Sequence, residues 1–392
     1  MRKKVFCSLL ACCFMVSVSG LSENAHAEEE EFCSENYLFG TINPVASSPM
    51  GYYILDYAYL KFLSKENNQL IYLCGNPECK HAEFDKPFYQ VTEEELWSCN
   101  AYVGTVLPCS VVYEDPYVYV LGYDEMTSDV SLQRISMDGS VHENLGVIGQ
   151  APDTGSYYTY VLDDNIMYFS YNEPSMNVKN NHVSVQSFDL ESGEIEELYV
   201  AEGKNLNIYL VREYDGLICF RESKLDEEGN QTDRLLCYDT EKEEIEEVYS
   251  GEFYRYAIED SDHFYLYVTD EGIYSLDRAE GTKELLWEAD ESTGFAELAY
   301  DGEYLYLSNW YAALIDKEQF PYQITVVDKD GNLVNQIDMD VKGLGDVQII
   351  DRENMVADWY GPEYDQVSWA LIPKEKLADP EVEWEPVNSI NE

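Results

Sequence analysis

The sequence predicts an all-β protein made of repeated four-stranded units, and three observations carry that prediction. Short runs rich in Tyr, Val, Ile and Leu alternate with Asp, Gly, Asn and Glu, and no long helical period accompanies them. Aspartates recur in two columns at a nearly constant spacing. Tyrosine dominates the aromatics, 34 residues against 14 Phe, which suits pleated surfaces with one dry and one wet side.

The first column precedes a strand: Asp115, Asp164, Asp215, Asp262, Asp301 and Asp351, each ahead of a run such as Ile166–Phe169 or Leu217–Phe220. The second follows a strand and opens a turn: Asp138, Asp189, Asp239, Asp277 and Asp328. Neighbouring members of a column lie 38 to 51 residues apart. An Asp at the first position of a β-turn bonds its own backbone two residues on, so both columns read as turn formers rather than catalytic acids. The repeat is therefore strand, Asp-turn, strand, loop, strand, Asp-turn, strand, the pattern of a β-propeller blade. Six units carry the first column. One more lies upstream, with strands near Tyr52–Asp56, Tyr59–Leu63 and Leu70–Cys74. Seven blades result, with six or eight as alternatives, and the absence of Pro/Gly/Ser-rich linkers makes residues 36–387 one domain.

Ahead of the blades, Arg2, Lys3 and Lys4, the apolar run Val5–Gly20 and the small-x-small site Ala25-His26-Ala27 read as a signal peptide over residues 1–27. An acidic segment follows over 28–35. The 16-residue apolar run is shorter than the roughly 20 residues needed to span a bilayer. Leu9-Leu10-Ala11-Cys12 resembles a lipobox, which makes a lipid anchor at Cys12 the alternative to free secretion. Either way the destination is extracytoplasmic.

If both Asp turns of a blade lie on one face, the second-to-third loops and the blade crossings lie on the other. All long insertions fall there, including Ser308–Tyr322, Asp358–Gln366 and the crossing from Gly75 to Pro108. Variable loops on a rigid scaffold are where binding residues concentrate. Two of these loops carry adjacent aromatics, Trp310-Tyr311 and Trp359-Tyr360, with Tyr364 nearby, which could stack a sugar ring or hold a peptide or cation. The same rings equally suit packing at the channel mouth.

Seven cysteines remain once the signal is removed: Cys33, Cys74, Cys79, Cys99, Cys109, Cys219 and Cys237. Cys74, Cys79, His81 and Cys99 supply three thiolates and an imidazole, a donor set for a closed tetrahedral zinc site that would staple the crossing. Disulfides such as Cys79 to Cys99 with Cys74 to Cys109 would staple it equally, and free thiols are the third option. Thr92 and Glu95 have capping-box spacing, predicting a short helix over Glu93–Asn100 with Leu96 and Cys99 on one face. Cys219 and Cys237 lie symmetrically about Glu228. Cys237, however, takes the place of Ser136, Ser187 and Ser275 in the repeat, which points to a buried free thiol.

Residues Leu73, Cys74, Pro77, Cys79, His81, Cys99, Asn100, Ala101 and Tyr102 together resemble an element found in a family of uncharacterised exported proteins and lipoproteins of Gram-positive bacteria. That resemblance implies a propeller-like fold and export. It implies no activity.

With 77 Asp+Glu against 24 Lys+Arg and a net charge of −53, the chain repels phosphate backbones and anionic lipid surfaces. Nucleic acid is excluded as a partner, and neutral or cationic ligands such as a glycan or peptide are favoured. No Gly-x-Ser-x-Gly elbow, Gly-x-x-x-x-Gly-Lys phosphate loop or His-Glu-x-x-His pair is present, and no carboxylate pair stands out. The expectation is a non-catalytic binding or scaffold protein that uses its insertion face. The alternative is a propeller-type glycoside hydrolase or lyase with acids at the channel mouth.

Overall fold

The structure is a computed structural model that describes residues 38–39, 44–56, 58–81, 91–104, 111–123, 129–150, 160–173, 181–226, 228–339, 344–360, 368–377 and 386–389. The leader, Cys12, Cys33, Cys109 and Tyr364 lie outside them. Seven antiparallel sheets follow one another along the chain, so the fold is the seven-bladed β-propeller that the repeat predicts.

Blade 1 comprises Val45–Ser47, Gly51–Asp56, Tyr59–Ser64 and Gln69–Tyr72; blade 2, Val111–Glu114, Tyr117–Tyr123, Asp129–Ser136 and His142–Gln150. Blade 3 is Tyr160–Asp163, Ile166–Glu173, Asn181–Asp189 and Ile195–Gly203; blade 4, Leu206–Tyr214, Leu217–Leu225, Gln231–Asp239 and Glu244–Gly251. Blade 5 is Arg255–Ile258, His263–Val268, Gly272–Asp277 and Thr282–Glu288; blade 6, Glu297–Tyr300, Tyr304–Ser308, Gln323–Asp328 and Leu333–Asp338. Blade 7 has three described strands, Leu344–Ile350, Asn354–Trp359 and Ser368–Pro373. Asn388–Ser389 pairs in parallel with Gln69–Leu70 on the outer strand of blade 1.

The aspartate columns sit where the repeat puts them, between first and second and between third and fourth strands. Asp189 Oδ1 accepts the N–H groups of Glu191 and Ser192, both at 2.8 Å. Asp301 Oδ1 accepts those of Glu303 and Tyr304 at 2.8 and 2.7 Å, and Asp351 Oδ1 those of Glu353 and Asn354 at 2.8 Å. In blade 5 the acceptor is Asp260, two residues ahead of Asp262.

The core is a ring of layers between blades. Blades 3 and 4 share Val161, Val183, Ile208 and Phe220, and blades 5 and 6 share Tyr265, Tyr267, Leu298 and Leu305. Blades 6 and 7 share Tyr306, Ile324, Met355 and Ala370. Val45, Tyr52 and Ile54 pack on Ile349, Val356 and Trp369, which closes blade 1 against blade 7. Removing such side chains from water, at about 25 cal/mol per Å² of apolar surface, is the main force holding the blades together.

A polar seam reinforces part of the ring. The residue after the third strand is Lys65, Arg278, Lys329 or Lys374 in blades 1, 5, 6 and 7. Lys65 of blade 1 pairs with Asp351 of blade 7 at 3.2 Å, Lys374 of blade 7 with Asp301 of blade 6, and Lys329 of blade 6 with Glu259 of blade 5. Asp351 Oδ2 also accepts the Tyr52 hydroxyl at 2.6 Å and the Ser47 hydroxyl at 2.9 Å. In blades 2 and 3 the same position is Met137 or Leu190, half-buried against the apolar layer.

One cysteine expectation is corrected. Cys219 and Cys237 stand directly opposite in blade 4 with Cα atoms 4.0 Å apart, and they form a disulfide rather than free thiols. Hairpin symmetry about Glu228 decides the pairing, because register places facing side chains on the same side of the sheet.

Candidate functional site

The first crossing builds a thiol cluster. Asn76 Oδ1 accepts the Glu78 N–H at 3.0 Å and the Asn76 carbonyl accepts the Cys79 N–H at 3.1 Å, a tight turn that folds Cys79 back toward Cys74. Thr92 caps the helix Glu93–Trp97 with both halves of the capping box. This helix stops three residues before the expected Asn100. Cys99 follows in a turn, its N–H on the Leu96 carbonyl at 3.1 Å, and is buried with Leu96 packed beside it.

The donor atoms of Cys74, Cys79, His81 and Cys99 all lie within 4.8 Å of one another. His81 Nδ1 is 3.5 Å from Cys99 Sγ, and the His81 ring stacks on Tyr72 with centroids 4.8 Å apart. The three cysteines are free thiols here, with no bridge between Cys79 and Cys99. Burial, with Cys74 and Cys79 alongside, pushes the Cys99 thiol up. Thiol sulfurs in a tetrahedral zinc site stand about 3.8 Å apart, from Zn–S bonds of about 2.3 Å, so a small contraction brings this set onto an ion. The Cys3His cluster could thus hold a metal.

The crossing docks along the third strand of blade 1 and on the turn between the third and fourth strands of blade 2. Gly75 N–H and Asn100 Nδ2 both donate to the Gly139 carbonyl at 2.8 Å. Gly139 has φ +66°, and a Cβ there would meet the Leu73–Cys74 backbone at 2.6 Å, so glycine is required. Buried Gln133 ties the loop inward, donating to the Val103 carbonyl at 3.0 Å while His142 Nε2 contacts its Oε1 at 2.7 Å.

The insertion-side mouth of the channel is the second feature. Here the first strands of blades 5, 6 and 7 carry Arg255, Glu297 and Asp346 near their insertion-side starts, and the ends of second strands carry Asp358 and Asp56. Arg255 and Glu297 form a buried ion pair, while Arg221 pairs with Asp233 at 2.9 Å. Both guanidinium groups also donate to the Tyr254 carbonyl, at 2.9 and 2.7 Å, so these charges are fully partnered. Asp346 is different. Enclosure, then the neighbouring carboxyls of Asp358 and Glu297, push it well above the usual carboxylate range. Asp358 is pushed up to about 6 by burial and by Asp56, against a hydrogen bond from Tyr360.

The four predicted aromatics divide. Trp359 is 7% exposed and packs between blades 6 and 7, which corrects its expected place on a ligand platform. As the last residue of a strand it follows the inward alternation of that strand. Tyr360 lies over Gly345, where a Cβ would meet its ring at 2.0 Å, and stacks on Trp310 with centroids 6.5 Å apart. Trp310 also packs on Tyr322 at 5.0 Å. Tyr311 is 48% exposed, and its hydroxyl is held up at about 12 by burial and by Asp346 and Glu297. Sequence reasoning missed Asp346, Asp358 and Glu297; their only signal was position at the insertion ends of strands.

Among the described residues no helix is long and apolar enough to cross a membrane. No family model matches the chain, and no curated protein matches it. Among solved structures it is similar to the WD40 propeller domain of Doa1, with 12% identity over 83% of this chain and 93% of that one, TM-score 0.45. It is also similar to the propeller domain of the Trilobed protease from Pyrococcus furiosus, with 12% identity, 71% and 83% covered and TM-score 0.43. An oligogalacturonate lyase from Vibrio parahaemolyticus gives 11% identity, 70% and 74% covered and TM-score 0.46.

Proposed function

We propose that the protein is an exported, non-catalytic binding propeller that receives a neutral or cationic ligand, a glycan, peptide or protein, at the insertion-side mouth. The observation that supports this most is Tyr311, a half-exposed ring close to the carboxyl of Asp346. Stacking and acceptor groups in one enclosed place suit hydroxyl-rich or cationic ligands. Binding to glycan and peptide arrays tests it: Tyr311→Ala should weaken any ligand found at least tenfold with an unaltered melting temperature. Unaltered affinity would remove the mouth as the site.

Export by the leader, ending in cleavage after Ala27 or lipidation at Cys12, and kinship with the Gram-positive family belong to the same reading. So does structural zinc on Cys74, Cys79, His81 and Cys99, since four protein ligands leave no open position for chemistry. Native and denaturing mass spectrometry of the exported protein should show one zinc lost on denaturation, with three thiols free. A pair of these cysteines found oxidised would replace the metal by a disulfide.

Asp346 supports a second reading, a carbohydrate-active enzyme, because a carboxyl that enclosure holds above the usual carboxylate range is the kind of group a general acid uses. Turnover of a glycan panel, lost in Asp346→Asn, would establish it; binding without turnover would end it.

A further inference from the structure

The loop between the second and third strands of blade 6 contains the helix Trp310–Ile315, and its amphipathicity is inverted. It buries two small residues, Ala312 and Ala313, while Tyr311, Leu314 and Ile315 are 48, 61 and 76% exposed. Large apolar side chains turned outward beside buried alanines break the local rule that otherwise governs this fold, and such breaks mark interaction surfaces. The crossing into blade 6 extends the patch. Gly294 lies against this helix, since a Cβ there would meet Ala312 Cβ at 3.1 Å. Next to it Phe295 is 49% exposed, its ring 5.6 Å from Tyr254.

This patch borders the acidic mouth at Tyr311. The charged groups acting most strongly on Asp346 are other carboxyls, Asp358 and Glu297, and the one acting on Asp358 is Asp56. Apolar surface therefore adjoins two carboxyls, Asp346 and Asp358, whose strongest charged neighbours include no cation, on a chain whose net charge is −53. A second copy of the chain is a poor occupant, because it brings its own net charge of −53 against the same rim.

We propose that Phe295, Tyr311, Leu314 and Ile315, with Asp346 and Asp358 beside them, dock a basic polypeptide segment that carries aliphatic or aromatic side chains between its Lys or Arg residues. This rests on reading the mouth as a binding site and narrows its ligand to a polypeptide. Apolar anchors would supply residence time, and the acidic rim would set approach and orientation.

The test uses the full chain and three labelled twelve-residue peptides, alternating Lys-Leu, Lys-Ser and Glu-Leu, followed by fluorescence anisotropy at two salt concentrations. Lys-Leu should bind at least tenfold more tightly than either other peptide, and Leu314→Ser/Ile315→Ser, at exposed positions, should lose at least tenfold. Equal binding of Lys-Ser would reduce the effect to bulk charge and overturn the proposal, as would unaltered Lys-Leu affinity in the double variant. A concentration-dependent dimer that the double variant abolishes would overturn it in favour of self-association. If Tyr311→Ala abolishes glycan binding while the double variant leaves it intact and no Lys-Leu binding occurs, the mouth reading stands and the polypeptide inference falls. If the double variant loses Lys-Leu binding and Tyr311→Ala does not, the docking surface stands and the mouth reading falls.

Discussion

Aspartates on the two faces of this propeller experience opposite surroundings. On the turn face, Asp138 is held at about 2 by the hydroxyls of Ser140 and Ser136, and Asp189, Asp239 and Asp328 lie below the usual range because side-chain and backbone donors converge on them. At the mouth, burial and neighbouring carboxyls push Asp346 and Asp358 up instead. One residue type closes turns where donors are plentiful and stores unfavourable charge where they are not. The first use builds the scaffold, and the second leaves a site that a cation would relieve.

The largest test of this contrast is Asp351→Ala. Burial works against the charge of Asp351, yet the Tyr52 hydroxyl, Lys65 and two backbone N–H groups hold it below the ordinary range. Removing the carboxylate strands a buried hydroxyl and an ammonium at the seam between blades 7 and 1, so urea unfolding should show a loss of about 3–5 kcal/mol. A loss under 1 kcal/mol would mean that the seam is not where the ring is held.

Asp358→Asn should do the reverse. A carboxyl whose folded pKa is about 6, against about 3.9 unfolded, costs stability that is absent below pH 4, grows as pH rises to 6 and is constant above it. The variant should therefore gain about 2–3 kcal/mol at pH 8 and almost nothing at about pH 3. Destabilisation at pH 8 would show that the ionised carboxylate is already compensated. The smallest effect belongs to Asp138→Ala in an exposed turn, which should leave the urea midpoint close to that of the parent protein. Carbon-detected NMR titration sharpens all of this at once, with Asp138 expected to titrate near 2 and Asp358 near 6. Coincident midpoints would erase the distinction between the faces.

The blades were legible because turn chemistry is local: an Asp and the N–H groups it caps lie within four residues, so each repeat writes its own signature. The Cys3His element was legible for the same reason, as three of its four ligands fall within eight residues. The ion pairs of the seam were not, since Lys65 and Asp351 are 286 positions apart and neither is unusual in its own segment. Nor were the mouth acids, which differ from the other carboxylates only in what the fold places around them. In the sequence this loop reads as opening at Asp358, two residues early: the strand ends on Trp359, and the loop begins at Tyr360.

The segment Val387–Ser389 has a practical consequence. Val387 donates to the Trp369 carbonyl of blade 7 at 2.8 Å, and the next two residues pair with the outer strand of blade 1. The peptide acts as a buckle across the last joint of the ring. An affinity handle fused close behind it pulls on that buckle whenever the protein is immobilised, and a protease that trims it unfastens the joint before any blade is cut. The exposed hairpin tip at Glu228 and Gly229, far along the chain from that joint, is the safer place to attach a label.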